Sequence, residues 1–109
     1  MSYQGTCFCG AIGLEVTGEP DVMGYCHCSS CRSWSAAPVN AFSLWNPDAV
    51  TVTRGIEHLA MLQKTPMSHR QYCSLSGGHL MNHHPLLGLT DVYAATLPAL
   101  KFEPAVHVN

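Results

Sequence analysis

The chain is divided into short runs with strand character, which are separated by turn-forming residues, and apolar and polar residues alternate most clearly at residues 38–45. Alternation with a period of two is typical of strands that bury one face, and such end residues are typical of turns. The pattern predicts strands at residues 11–17, 22–25, 38–45, 49–54, 57–64, 68–73, 78–82 and 90–97. Segment 57–64 would also fit one helical turn, but its pattern favours a strand.

Helical periodicity is confined to one short segment, residues 29–34, which predicts a single helical turn. A length of 109 residues fits one domain. A domain of this size buries roughly two-thirds of the surface of its unfolded chain, so its core is modest. We therefore expect a single all-β domain over residues 1–109, built from short antiparallel sheets whose ends are held by metal sites.

The composition indicates a compact folded chain, because 47% of the residues are apolar and only 11% are charged. The five lysine and arginine residues are scattered and the net charge is −2, so nucleic-acid binding is not expected. The first residues do not resemble a secretory signal, and no run approaches the ~18 apolar residues of a membrane span. We expect a cytoplasmic protein without membrane contact, in a reducing compartment where clustered cysteines are usually metal ligands.

The grouping of the cysteines is the main chemical signal in the chain. The six cysteines form three groups, which are the pair Cys7 and Cys9, the cluster Cys26, Cys28 and Cys31, and the single Cys73. A tight turn can direct the three thiolates of the central cluster at one ion, and zinc suits such soft ligands best. A three-ligand zinc keeps one coordination position open, whereas a four-ligand zinc is structural. Trp34 is most simply a core aromatic, although it could also form a wall of a pocket beside this cluster.

A second metal site is predicted where Cys7 and Cys9 meet Cys73. The segment that starts at Cys73 resembles a Cys-x-x-Cys-Gly turn in which Ser76 stands in the second cysteine's place. A serine hydroxyl is neutral at pH 7 and is therefore a poor zinc ligand. The fourth position could be filled by His79, by water or by nothing, so the chain could hold one zinc or two.

The other titratable residues give weaker signals. An extended backbone would direct His27 away from its cysteine neighbours, which makes it a packing residue near the site, although it is also the nearest candidate for an extra ligand. His83 and His84 are interpreted as exposed loop residues in preference to proton shuttles. Asp91 and Tyr93 are interpreted as an ordinary surface pair.

On these motifs the chain resembles the glutathione-dependent formaldehyde-activating enzymes, also called S-(hydroxymethyl)glutathione synthases. The matching motifs lie at residues 5–11, 16–20, 25–32 and 72–80. The resemblance implies a β-tent fold made of antiparallel sheets around zinc. It also implies a structural zinc at Cys7, Cys9 and Cys73, with Ser76 replacing the fourth cysteine, and a catalytic zinc at the Cys26, Cys28 and Cys31 cluster. Relatives usually continue beyond the last residue here, and an uncovered sheet edge would favour a homodimer.

Two functions follow from these features. The first is a carbon–sulfur lyase in which a thiol such as glutathione loses its proton at the zinc of the central cluster. That thiolate attacks formaldehyde or a related small aldehyde and gives an S-hydroxymethyl adduct. The alternative is a non-catalytic zinc-binding scaffold or a small-molecule binding module derived from the same family, which the replacement at Ser76 and the short chain would favour.

Overall fold

A computed structural model describes residues 1–109 and folds them into two β-sheets. The strands are β1 Ser2–Thr6, β2 Gly13–Thr17, β3 Val22–Cys26, β4 Asn40–Trp45, β5 Val50–Arg54, β6 Leu59–Thr65, β7 Ser68–Cys73, β8 His79–His84, β9 Leu89–Tyr93 and β10 Val106–Val108. The single α-helix, α1, spans Ser29–Ser35, and three short 3-10 turns cover Pro47–Ala49, Ile56–His58 and Ala94–Thr96. Strands make up 49% of the chain and helices 15%, which confirms the all-β prediction and the β-tent architecture.

The two sheets differ in size. Strands β1, β2 and β5 form the smaller sheet, and the larger one has the order β10-β3-β4-β9-β8-β7-β6. Neighbouring strands run antiparallel, as predicted, with one exception, because β10 lies parallel to β3. Parallel neighbours need a long crossover connection. Here the segment after β9 passes β4 and β3 and places β10 at the edge of the sheet beside β3.

The sequence pattern did not predict β1 or β10, and it extended the strand at 90–97 too far. Strand β1 is hidden in the pattern by Gly5, where an added side chain would collide with the backbone of Thr96. The predicted strand at 90–97 ends earlier, at Tyr93, because the backbone then turns and the Leu97 N–H donates to the Ala94 carbonyl. The preference for a strand at 57–64 is confirmed for most of its length by β6.

One apolar core joins the two sheets. Its fully buried members include Leu14 and Val16 from the small sheet and Trp45, Leu80 and Val92 from the large one. Burying one such side chain contributes about 1.5–3 kcal/mol relative to leaving it exposed. Two cysteines, Cys7 and Cys73, belong to the same cluster. One predicted metal site therefore lies at the junction between the sheets.

The outer edge of the large sheet is formed by β6, whose side chains beyond Ala60 are all exposed. An edge of this kind presents unpaired backbone groups that could pair with a second chain. None of the helices has the length and apolarity needed to cross a membrane. The homodimer, the single-domain assignment and the cytoplasmic location stay predictions.

Candidate metal centres and the adjoining cavity

The structure brings Cys7, Cys9 and Cys73 together at the junction of the two sheets. The sulfur of Cys9 lies 3.7 Å from that of Cys7 and 3.7 Å from that of Cys73. A tetrahedral zinc with bonds of about 2.3 Å would hold its sulfur ligands about 3.8 Å apart. Both distances match this spacing, and the three sulfurs all lie within 4.8 Å of one another. The role of the three cysteines as zinc ligands stays a prediction. We name this set the junction triad.

Two glycine-dependent turns shape the junction triad. After Cys7 the chain turns so that the Gly10 N–H donates to the Cys7 carbonyl over 3.1 Å, and Gly10 adopts a φ of 81°. After Cys73 a similar turn lets the Gly77 N–H donate to the Cys73 carbonyl over 2.8 Å, with a φ of 74° at Gly77. These φ values favour glycine because it has no Cβ. The cysteines beside these two turns have their sulfurs within 4.8 Å of one another.

Ser76 lies beside the junction triad as the sequence predicted. Its oxygen accepts a hydrogen bond from the Gly78 N–H over 3.2 Å. A hydrogen bond from the Ser76 hydroxyl lowers the pKa of the Cys73 thiol to about 6. His79 lies outside this set of ligand atoms, because its ring stacks on Trp34 with centroids 4.4 Å apart. The serine thus supports a thiolate, and the structure does not support the alternative that His79 fills the fourth position.

Replacing Ser76 by cysteine is expected to raise the zinc affinity of the junction triad by on the order of 100-fold. A structural zinc carries about 10–16 kcal/mol over four ligands, so one added thiolate contributes a few kcal/mol. The measurement is competition for zinc with a chromophoric chelator. Ser74→Cys is the matched control, since Ser74 is exposed two residues away. Equal affinities for the two variants would contradict the assignment of Ser76 to the fourth position.

The structure also brings Cys26, Cys28 and Cys31 together, with their sulfur atoms within 4.8 Å of one another. Cys26 ends β3, and Cys28 caps α1 by accepting the Cys31 N–H at its sulfur over 3.3 Å. Burial raises the pKa of the Cys31 thiol to about 12. Partial burial opposes ionisation of Cys28, but hydrogen bonds from Cys31 and Cys26 lower its pKa. Three thiolates this close need a cation between them, so the donor set fits a bound metal. We name this set the cavity triad.

The cavity triad forms part of the wall of a cavity of about 560 Å³. Ligand pockets in proteins span roughly 300–1,000 Å³, so a small organic molecule fits here. Helix α1 adds Trp34 to the same wall, so this residue takes the alternative role at a pocket and not the core position that the sequence favoured. The floor consists of alternate side chains of three neighbouring strands, namely Leu62 and Lys64 of β6, Ser68 and Arg70 of β7, and Asn82 and His84 of β8.

The loop assignment of His83 and His84 is wrong. Strand β8 continues through both residues because they pair with Thr90 and Leu89 of β9. Adjacent residues of a strand face opposite ways, so His84 lines the cavity while a ring nitrogen of His83 lies 3.0 Å from the Thr90 hydroxyl. Burial, followed by the charge of Arg70, lowers the pKa of His84. His84 is therefore a neutral imidazole at pH 7.

The surface assignment of Asp91 and Tyr93 is also wrong. Both lie on the central strand β9, and only 4% of Asp91 and 8% of Tyr93 is exposed. The Asp91 carboxyl accepts the Ser43 N–H over 3.3 Å and the Asn40 side-chain amide over 3.4 Å. Burial raises the pKa of Asp91 well above its usual range. This carboxyl therefore belongs to the hydrogen bonding of the core.

His27 is placed outside the cavity triad, in agreement with the packing role that strand alternation predicted. Its ring lies against that of His107, with 2.9 Å between ring nitrogens, and its backbone N–H donates to the Val108 carbonyl.

Arg70 was missed by the sequence interpretation. The available signal was its position on a strand that ends at Cys73, where alternation puts Arg70 and Ser68 on one face.

The fold and the two triads define a cysteine-rich β-domain with two candidate metal centres, one of which opens to a cavity. The sequence profile of the glutathione-dependent formaldehyde-activating enzyme family matches residues 2–108. A match over nearly the whole chain establishes that the protein belongs to this family, as its motifs indicated.

Individual relatives agree with this assignment. An uncharacterised lyase of Schizosaccharomyces pombe is 31% identical over 75 residues, covering 69% of this chain and 53% of the relative. A protein of Halomonas elongata that is provisionally named a glutathione-dependent formaldehyde-activating enzyme is 30% identical over 80 residues, covering 68% of this chain and 51% of that protein. The chain therefore spans about half the length of the curated relatives it matches.

A solved structure supports the fold independently. A crystal structure of a Rhodobacter sphaeroides protein superposes with a TM-score of 0.75 and covers 93% of this chain and 91% of its own. The two sequences are 24% identical, so this likeness establishes the shared fold and no more.

Proposed function

We propose that the protein is a zinc-dependent carbon–sulfur lyase-type enzyme that joins a thiol such as glutathione to formaldehyde or a related small aldehyde. The observation that carries the proposal is the position of the cavity triad in the wall of a cavity large enough for a small thiol. The family profile and the lyase name of one relative support chemistry of this class. The proposed metal ligands are Cys26, Cys28 and Cys31 at the catalytic site and Cys7, Cys9 and Cys73 at the structural one.

The three cysteines of the cavity triad would hold the catalytic zinc. When bound, a three-thiolate zinc supplies an open coordination position that favours the deprotonated form of an incoming thiol. The cavity orients the thiol, and the strands and helix around it limit the access of water. The indole of Trp34 provides an apolar surface close to the reacting groups.

His84 is the proposed proton acceptor. Its imidazole lines the same cavity as the cavity triad and is neutral at pH 7, so it can take the thiol proton. The thiolate sulfur then forms a bond to the aldehyde carbon while the carbonyl π bond breaks. The proton returns to the resulting alkoxide oxygen, which yields the S-hydroxymethyl adduct with atoms and charge balanced. Such proton transfer by a positioned side chain contributes about 10²–10⁴-fold to a rate.

Magnetisation-transfer NMR tests the proposed activity directly. The exchange between glutathione and its S-hydroxymethyl adduct is measured at equilibrium, with and without the zinc-loaded protein, because the uncatalysed addition is also rapid. Acceleration in proportion to protein concentration is the expected result. If no thiol and aldehyde pair exchanges faster with the protein present, the enzyme proposal fails and the alternative of a non-catalytic zinc-binding module is favoured.

Replacing His84 by glutamine is expected to lower the exchange rate by about 100-fold. Burial lowers the pKa of His84 from 6.5, so the decrease of the wild-type rate with falling pH should begin at a lower pH than an ordinary imidazole would give. The variant should lose that decrease. The groups facing His84 across the cavity are Arg70, Lys64 and the cavity triad. Zinc content is measured at each pH, because protonation of the cysteines would release zinc whereas protonation of the imidazole would not.

His83→Gln is the matched control for this prediction, because the neighbouring imidazole faces away from the cavity and bonds to Thr90. It should leave both the rate and its pH profile unchanged. Equal losses in the two variants would show that His84 acts through general stability and not through proton transfer.

A further inference from the structure

Arg70 occupies the centre of the cavity floor. It lies on the middle strand of the three that form the floor, opposite Leu62 on one side and Asn82 on the other. Its guanidinium carbon is 5.8 Å from the centre of the Trp34 ring, within the range of a cation–π contact. This contact holds the guanidinium against the indole at the wall of the cavity.

Arg70 forms no ion pair with a carboxylate of the protein. The two ion pairs of the structure are formed elsewhere, by His58 with Glu57 and by Lys101 with Glu103. No aspartate or glutamate lines the cavity, and the nearby Asp91 is buried and accepts hydrogen bonds from Ser43 and Asn40.

A second cation, Lys64, lies on the same floor, one strand away from Arg70. The positive charge of Arg70 reaches His84 on the same floor, where it adds to the effect of burial in lowering the pKa of the imidazole. The floor of the cavity is thus positively charged, although the protein as a whole carries a net charge of −2.

We propose that Arg70, assisted by Lys64, determines specificity by selecting thiols that carry a carboxylate. The inference rests on the proposed function, since it takes the thiol sulfur to lie at the cavity triad. A guanidinium presents two parallel N–H donors that match the two oxygens of a carboxylate. A thiol bound in this way has its sulfur at the wall of the cavity and its carboxylate on the floor.

A different role for Arg70 makes the opposite prediction. Three cysteinates around one zinc carry a net negative charge, and a neighbouring arginine could simply balance it. In that case removal of the guanidinium would weaken the binding of every ligand alike through a disturbed metal site. Recognition by contact predicts a loss confined to ligands with a carboxylate.

Calorimetric binding of two non-reacting probes to the zinc-loaded, 109-residue chain separates these roles. S-methylglutathione carries two carboxylates and no thiol proton, and its diethyl ester has the same frame without either carboxylate. Arg70→Met should weaken the binding of the acid by about 10- to 100-fold, as expected for hydrogen bonds to a charged group. It should not weaken the binding of the ester. Lys64→Gln should have a smaller effect in the same direction.

Arg32→Gln is the matched control, because Arg32 is an exposed arginine of α1 outside the cavity lining. It should leave both affinities unchanged. The proposal is overturned if wild-type protein does not bind the acid, if Arg70→Met binds it as tightly as wild type, or if acid and ester are weakened equally. Should Arg70→Met not fold, Arg70→Lys keeps the positive charge but removes the two parallel N–H donors. Its loss of binding affinity should again be confined to the acid.

The binding experiment does not depend on turnover. If the acid binds in an Arg70-dependent manner and no thiol exchange is accelerated, the recognition role stands and the enzyme proposal fails. If exchange is accelerated equally for acidic and neutral thiols in wild type and in Arg70→Met, the enzyme proposal stands and the role of Arg70 fails.

Discussion

Replacing Cys28 by serine is expected to lower thiol-dependent exchange by well over 100-fold while the fold is retained. Loss of groups that merely support metal ligands costs about 10- to 100-fold, so loss of a ligand should cost more. Serine is a preferred N-cap residue, so the variant can still accept the Cys31 N–H that Cys28 accepts at its sulfur. The substitution therefore removes the thiolate and preserves the start of α1.

Two measurements are needed for this variant. Exchange NMR gives the rate, and elemental analysis gives the zinc bound per chain, which should fall by one relative to the wild type. Ser29→Ala, an exposed change at the next position, should alter neither. Cys28→Ala provides a second comparison, because it removes the ligand and the cap together and should be about 1 kcal/mol less stable than the serine variant. Its exchange rate should be equally low.

Retention of full activity by Cys28→Ser would remove the cavity triad from the mechanism. If the zinc content also stayed unchanged, the metal would have to lie at the junction triad, and a scaffold would be the better description of the protein. If the zinc content fell while the rate was maintained, the cavity would catalyse exchange without a metal, and His84 would be the main group left to explain it.

Features set by neighbours in the chain were predictable from the sequence. Cys26, Cys28 and Cys31 lie within six residues, so a turn followed by a helical start is enough to bring their sulfurs together. The strands were predictable for the same reason, because alternation with a period of two is a local property. The tight turns of the junction triad are also indicated locally, by the glycines Gly10 and Gly77.

Features set by the order of strands in the sheet were not predictable in the same way. Asp91 has the appearance of a surface residue until β4 and β8 are placed on either side of its strand. His84 precedes a proline, which favours a loop locally, yet pairing with Leu89 keeps it in β8. The position of Arg70 beside the cavity triad depends on Trp34 of α1 packing against Tyr72 and Arg70 of β7. Alternation along β7 does not report that contact.

Replacing Cys9 by serine is expected to lower the free energy of unfolding by several kcal/mol in the zinc-loaded protein. Cys9 is exposed, so it contributes little by burial, and its contribution to stability passes through the metal. A structural zinc contributes about 10–16 kcal/mol at a full four-ligand site. A domain has a total stability of only about 5–15 kcal/mol. Loss of the ligand that lies 3.7 Å from both other sulfurs should therefore remove a large part of it.

Urea unfolding of wild type and variant, each with zinc and after chelation, isolates the contribution of the metal. With zinc the two proteins should differ by several kcal/mol, and without zinc by less than about 0.5 kcal/mol, as is usual for an exposed position. Cys73→Ser should behave differently, because Cys73 is fully buried and its replacement should cost stability even without zinc. If Cys9→Ser unfolds like the wild type with zinc present, the junction triad holds no metal. The apolar core between the sheets would then have to account for the stability of the domain by itself.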